Sequence, residues 1–404
     1  MQVKDFDYVL PPERIAQFPL SERDASKLLI YRDGKIEQDV FSGIYKHLPS
    51  DSLLVFNDTK VIRARILFYK TTGAVIEIFC LEPLAPVTEV ETAFHIKTRS
   101  TWKCLVGNAK RWKSGSLQLE IGGSNALCTL FAEKKENLED GSYAIDFHWN
   151  PPEKSFSEIL ELAGTVPLPP YIHRPTEPSD QIRYQTIYAR HEGSVAAPTA
   201  GLHFTDRVFT NLTQNGCEFA KVTLHVGVGT FRPLTAPTIQ DHLMHREKIV
   251  VSQNTLKQLL NRHDRPVIAV GTTAARTLES IYWLGVKLIR GEAISPLIVN
   301  QWDPYGSAPS TINAREALSA LLMYLEKQQI ESLHAETQLM IVPGYSYRLL
   351  SGLITNFHMP QSTLLLLVAA LIGPGWKEVY QYALSHDFRF LSYGDSCLFF
   401  QSSK

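Results

Sequence analysis

The chain of 404 residues carries 40 Lys and Arg against 41 Asp and Glu, a formal charge of −1, with 44% hydrophobic and 20% charged residues. That balance excludes a disordered chain and a strongly basic protein that coats nucleic acid, and still allows a local basic patch. At about 150 residues per domain, the length suggests two or three domains.

The opening MQVKDFDYVLPPERIAQFPL has no apolar run behind its first Lys, so no secretory leader is expected. The longest apolar run, Leu364 to Ile372, is far short of the ~20 residues of a membrane span. It reads as a buried helix, and no membrane partner is expected. Five cysteines (Cys80, Cys104, Cys128, Cys217, Cys397) are spread along the chain with no CxxC pair. Unpaired thiols of this kind fit a reducing cytoplasm and give no zinc ribbon.

In chain order, Leu28–Tyr31 and Ser52–Phe56 are short apolar runs bounded by polar turns, as buried strands are. Asn57-Asp58-Thr59-Lys60 follows the second run, at a strand's carboxyl end, where α/β sheets bind ligands and where plain turns also occur. Residues 64–150 change character. Ala74–Cys80, Trp102–Val106, Ser116–Ile121, Ala126–Phe131 and Tyr143–Phe147 are β-prone, punctuated by glycines, and closed by Pro151-Pro152. They predict an inserted small antiparallel β-barrel or sandwich domain.

From 155 onward strands and helices alternate, which argues for a layered α/β fold. Helices are expected at 155–163, 204–215 with Thr205 as cap, 252–262, 274–284, 314–328, 362–372 and 376–385. Strands are expected at 219–228, 267–270, 339–342 and 352–355. The implied organisation is an α/β domain from 1–63 and 151–404, with the β domain at 64–150 inserted.

Several segments can carry chemistry. Val166–Arg174 holds three prolines in four positions, so it is stiff. It either preorganises Tyr171, His173 and Arg174 or serves as a hinge. Gly193–Phe204 has side chains that are small or apolar apart from His203, which permits close approach of a ligand around Thr199. Leu224–Phe231 contains His225 and a GxG without the third glycine of a dinucleotide fingerprint. Asp241–Glu247 places His242 and His245 one turn apart with Glu247 nearby, a possible metal set. Gly271–Glu279 is a strand–turn–helix in which Thr272 or Thr273 caps the helix, the free N–H groups suit a carboxylate, and Arg276 adds a cation. Asn356-Phe357-His358 joins a strand to a helix; Asn356 and His358 can read a base edge and Phe357 can stack. Asp395 lies in a glycine turn. Lys97, Arg99, Lys103, Lys110, Arg111 and Lys113 form an acid-free stretch with Trp102 and Trp112 interleaved, a pattern suited to phosphates and bases or to a solvated face.

The stretches FDYVLPPERIAQFPLSERDASKLL, LLVFNDTKVIRAR, GTVPLPPYIHR, RYQTIYA, GSVAAPTAGLHFT, VTLHVGVGTFRP, MHRE, GTTAARTLES, GLITNFHMPQSTLLLLVAA and FRFLSYGDS, in this order, resemble the S-adenosylmethionine:tRNA ribosyltransferase-isomerases of queuosine biosynthesis. The resemblance runs from residue 6 to 396. Two departures stand out. Residues 285–334 form an extra segment beside compact members, and Gln338 stands where many members carry Asp.

The resemblance implies an α/β domain with an inserted β-barrel. It also implies transfer and isomerisation of the ribosyl part of S-adenosylmethionine onto 7-aminomethyl-7-deazaguanine at the tRNA wobble position. Epoxyqueuosine-tRNA forms, and adenine and methionine leave. S-adenosylmethionine would be the co-substrate, with no metal, and the enzyme a cytoplasmic monomer partnered by that tRNA. Such chemistry needs a base at the carbon beside the sulfonium, an acid for adenine and a neutral amine, roles that suit histidine, with His203 ranked first and His225 and His358 behind it. Asp58 and Asp395 are the carboxylate candidates. Asn57, Lys60, Tyr171, His173, Arg174, Thr199, Thr272, Thr273, Arg276, Asn356 and Phe357 are expected to hold substrate. Lys103, Lys110, Arg111 and Lys113 are expected to meet the tRNA. The competing classes are a metal-dependent hydrolase built on His225, His242, His245 and Glu247, and an RNA-binding module without catalysis.

Overall fold

The computed structural model describes residues 1–122, 128–227, 234, 236–262, 264–292, 296–306 and 311–401. A ten-stranded mixed sheet forms the backbone of the fold. Across it the strands run Ile298–Val299, Ser332–Thr337, Glu247–Ser252, Glu218–Leu224, Leu53–Asn57, Val267–Val270, Gly352–Asn356, Ser396–Phe400, Lys27–Arg32 and Lys35–Val40. The four from Glu218–Leu224 to Gly352–Asn356 are mutually parallel, so their carboxyl ends open on one edge.

The period-2 alternation of strand side chains divides the core into two layers. Leu29, Val55, Ala269, Leu353 and Phe399 face one side. They meet the helices Thr272–Ile289, Thr363–Ile372 and Trp376–Ser385. Leu28, Leu54, Phe56, Ile268, Ile354 and Leu398 face the other, against Phe41, Ile44 and the helix Asp206–Gln214. Both faces are covered, which is why these strands read as unbroken apolar runs.

Helix starts follow the local chemistry. Ser155, Thr205, Ser252, Asn313 and Ser362 each accept a backbone N–H at their helix start. The helix Thr272–Ile289 differs. It begins after Gly271, at φ +92°, with no side-chain cap, in place of the threonine cap expected. By length and composition Thr363–Ser385 would pass for a membrane-crossing helix, but more than half of it is buried in the core. A 3-10 turn at Gly373–Gly375 divides it.

Segments within 65–121 and 128–150, joined by the short strand at 164–165, build a second, antiparallel sheet. Its seven strands run Gly164–Thr165, Arg65–Tyr69, Val75–Ala85, Arg99–Gly107, Tyr143–Asn150, Cys128–Asn137 and Leu117–Ile121. The sheet curls until Arg65–Tyr69 and Leu117–Ile121 approach each other. No hydrogen-bonded ladder joins those two strands among the described residues, so it is a curled sheet and not the closed barrel expected. Its core, including Trp102 and Trp112, is separate from that of the main sheet.

The described parts of residues 285–334 include the sheet's end strand Ile298–Val299 and the helix Ala314–Gln328. Gly285 meets that helix so closely that an added Cβ would sit 2.1 Å from the Ala317 carbonyl oxygen. The strand expected at 339–342 is irregular chain; the ladder forms earlier, at Ser332–Thr337. The chain that follows, 345–350, is organised by Glu279, a fully buried carboxylate. It accepts from the Tyr345 hydroxyl at 2.7 Å and from the backbone N–H groups of Arg348, Leu349 and Leu350.

Candidate active site

The carboxyl ends of Val267–Val270 and Gly352–Asn356 open into a cavity of about 390 Å³. This is the edge at which parallel sheets bind ligands. The chain leaving each strand supplies a wall: Gly271, Thr272 and Thr273 from one, Asn356 and His358 from the other. Ala196–Ala200 closes a third side. Tyr171 and His173 come from the proline loop, whose rigidity holds them over the opening. Gln17 fastens that loop, accepting from the His173 N–H at 2.8 Å and donating to the Tyr171 carbonyl at 3.1 Å. None of the described lining residues is Asp, Glu, Lys or Arg. Neutral hydroxyl, amide and imidazole groups therefore supply its polarity.

The helix start at Gly271–Thr273 borders this space, with the Gly271 N–H already donated to the Ile354 carbonyl and no side-chain cap at the start. The Thr273 hydroxyl is buried there without a hydrogen-bond partner among the described residues. A helix start with free donors suits a carboxylate. Opposite it, the Tyr171 hydroxyl pairs with Ser392 Oγ at 2.7 Å, and burial pushes the phenol pKa up. His358 stands in the wall with Nε2 held by Thr355 Oγ1 at 2.9 Å. Burial lowers its pKa to about 3, so the ring is neutral. Its Nδ1 has no partner among the described residues.

His203 is placed differently. It is 5% exposed and lies behind the cavity wall, in a small pocket of about 20 Å³. The Asn356 amide donates to His203 Nε2 at 3.1 Å, so the proton resides on Nδ1, which donates to Ser26 Oγ at 2.8 Å. Burial lowers the His203 pKa to about 4. Asn356 Oδ1 in turn accepts from the Thr199 hydroxyl at 3.0 Å. A chain Ser26–His203–Asn356–Thr199 thus ends in the cavity. Nothing in the sequence singled out Ser26, because its partner lies 177 positions away.

His225 belongs to neither space. It lines a third cavity with His191, Lys248 and Glu336, and burial lowers its pKa to about 4. Asp58 is near that side, accepting from the Thr223 hydroxyl at 2.7 Å and lying 3.9 Å from His191. Asp395 is buried behind His203 and accepts the backbone N–H groups of Lys27 and Arg389; burial pushes its pKa up.

Other expected binders are occupied. Asn57 bonds both the N–H and the carbonyl of Leu224 and so joins two strands. Lys60 is paired with Glu192 at 2.8 Å, and Arg174 makes a two-pronged pair with Asp180. Two expectations are corrected. Phe357 borders the cavity but cannot stack on a base, since its ring is 0% exposed and stacks on Phe390. Arg276 does not offer a free cation, because it is buried in an ion pair with Glu247 and donates to the Leu339 carbonyl. That pair also withdraws Glu247 from His242 and His245, and no group of three metal-binding side chains occurs among the described residues.

The basic stretch is divided likewise. Lys103 is paired with Glu82 and Asp140, and Trp102 and Trp112 are buried in the curled sheet, not displayed for stacking. Lys110, Arg111 and Lys113 are exposed. The GxG is only partly described: Val228 to Pro233 lie outside the described residues, while Gly227 has open space around it.

A family model described as queuosine biosynthesis protein matches residues 3–399. A protein of Halothermothrix orenii named S-adenosylmethionine:tRNA ribosyltransferase-isomerase is 37% identical over 404 residues, covering 98% of this chain and 99% of its own. One of the same name from Trichlorobacter lovleyi is 36% identical with the same coverage. A crystal structure of S-adenosylmethionine tRNA ribosyltransferase from Thermotoga maritima shares 28% identity, spans 98% of this chain and 99% of that one, and superposes with a TM-score of 0.46.

Proposed function

We propose a function from one premise: the chain belongs to the queuosine biosynthesis protein family. It is an S-adenosylmethionine-dependent tRNA ribosyltransferase-isomerase. It moves the ribosyl moiety of S-adenosylmethionine onto 7-aminomethyl-7-deazaguanine at the wobble position of tRNA, isomerises it, and releases adenine and methionine. The observation that carries this reading is one juxtaposition. A neutral cavity of about 390 Å³, in the range of small-molecule sites, has a helix start on one wall and a neutral imidazole on another.

In this reading the Gly271–Thr273 start holds the methionine carboxylate, with Thr273 donating. His358 is the base at the carbon beside the sulfonium, accepting the proton on Nδ1. Tyr171, Ser392 and the Asn356–Thr199 pair orient sugar hydroxyls. His203 positions Asn356 and does not itself exchange protons with substrate. His173, at the mouth, meets the incoming nucleotide. Lys60 and Arg174 shape neighbouring walls through their ion pairs, and His225 and Asp58 belong to the adjoining cavity.

Residues 64–150 act as an inserted domain between 1–63 and 151–404. Its exposed Lys110, Arg111 and Lys113 contact the anticodon arm. The enzyme works in the cytoplasm as a monomer, without a metal. The test is incubation of the pure protein with S-adenosylmethionine and tRNA bearing 7-aminomethyl-7-deazaguanine. Adenine released in step with epoxyqueuosine is the expected result. Neither product, with tightly bound metal in the protein, would move the reading to a hydrolase.

A further inference from the structure

Three arginines meet at the small pocket that holds His203. Arg23, Arg183 and Arg389 all line it, together with Ser392, which also lines the large cavity. Their hydrogen bonds among the described residues go to backbone carbonyls, and Arg183 Nε is buried with no partner among those residues. Arg23 donates to the carbonyls of Ile182 at 2.7 Å and Leu202 at 3.3 Å. Arg183 donates to those of Leu20 and Ser21, and Arg389 to that of Phe18. Carbonyl dipoles orient a guanidinium but leave its charge in place. Neither Arg23 nor Arg183 has a carboxylate within 4.0 Å among the described residues. Arg389 has one, Asp395 at 3.9 Å, whose pKa burial raises. Nearby Asp24 is taken by Arg207 and Asp180 by Arg174. Burial, then the neighbouring Arg183, hold the Arg23 pKa down, as expected for cations left unrelieved.

Three like charges held together with one carboxylate, Asp395 at 3.9 Å, against them among the described residues destabilise the free protein and await an anion. The planar forks of Arg suit phosphate oxygens. The pocket, at about 20 Å³, has room for about one water-sized atom. A phosphate would therefore dock at its mouth with one oxygen inward. Beside it Phe18 is 51% exposed, with the Arg174 guanidinium 4.2 Å from its ring centroid. An exposed aromatic beside clustered arginines is a feature of RNA-binding surfaces.

We propose that Arg23, Arg183 and Arg389 form a phosphate clamp for the RNA backbone next to the nucleotide being modified. The shared wall at Ser392 would then set that nucleotide's register over the cavity. This rests on the tRNA substrate read above.

The experiment measures equilibrium binding of tRNA against salt for the wild type and for Arg183→Gln, Arg389→Gln and Arg389→Lys, with melting curves to establish folding. Each Gln variant should bind about tenfold more weakly, the worth of one charged hydrogen bond. The slope of log affinity on log salt should shrink by about one. Arg389→Lys, which keeps the charge and loses the fork, should retain the slope. If the wild type binds and the folded Gln variants match it in affinity and slope, the clamp is overturned while the tRNA reading stands. If the wild type binds no tRNA, both fall. Loss of inorganic phosphate binding with tRNA binding unchanged would make this a free-anion pocket and overturn the RNA assignment.

Discussion

Asn356 Nδ2 lies 3.1 Å from His203 Nε2 and donates to it. The histidine that sequence alone ranks first as catalyst thus has its lone pair engaged and its proton on the far side, toward Ser26. What reaches the cavity is the other end of Asn356, through Thr199. His358 has Nε2 tied to Thr355 and borders the cavity itself.

His358→Ala should therefore lower kcat by at least about a hundredfold, the usual worth of a general base. His203→Asn should cost less and leave the shape of the pH–rate profile unchanged between pH 5.5 and 9. Adenine release followed across that range decides the matter. A profile limb present in the wild type and missing in His203→Asn would return the base to His203.

Two buried histidines and the half-buried His225 also set an acid limit. The folded pKa values of His203, His225 and His358, about 4, 4 and 3, lie below the ~6.5 of an unfolded chain. Between those limits the unfolded chain takes up protons that the folded one refuses, so stability falls as pH falls from about 6.5 toward 4. The slope should approach about 1.4 kcal/mol per pH unit for each ring. Urea unfolding at pH 7 and pH 5 measures it, and His225→Asn should flatten the dependence.

Thr273→Val removes a buried hydroxyl that has no partner among the described residues. The fold should be as stable or slightly more so, because an unsatisfied polar group is gone. KM for S-adenosylmethionine should rise about tenfold, the value of a charged hydrogen bond to a carboxylate. Calorimetric binding and a melting curve on one preparation separate the two effects; an unchanged KM would remove Thr273 from the site.

Gly285→Ala tests the 285–334 segment. The new methyl would meet the Ala317 carbonyl at 2.1 Å, so the two helices must part. A loss of about 1–3 kcal/mol is expected from the overpacking. KM should stay at the wild-type value, since no described lining residue of the large cavity comes from this segment.

Charge reversal at Lys110 and Arg111, both exposed and on one short turn, should weaken tRNA binding and flatten its salt dependence. Unchanged affinity in filter binding would confine tRNA contact to the other face of the protein.

Short-range patterns in the sequence determined most elements. Apolar runs mark the strands Leu53–Asn57 and Val267–Val270, and Ser155, Thr205, Ser252 and Ser362 mark helix starts, because burial period and capping are properties of neighbouring residues. The sequence also carried the family and the cavity walls at Thr199, Thr272, Thr273, Asn356 and His358. Tertiary structure decided what depends on partners far away. The strands Glu247–Ser252 and Ser332–Thr337, toward one end of the main sheet, exist through pairing with each other, which no local pattern announces. Trp102 and Trp112 look like stacking platforms in sequence, but the curl of their sheet turns them inward. Arg276 looks like a free cation until folding brings Glu247 against it. Arg23, Arg183 and Arg389 are unremarkable apart, and only the fold brings them together at one pocket. A side chain's type is local, but whether its charge or lone pair is free depends on which distant residue it meets.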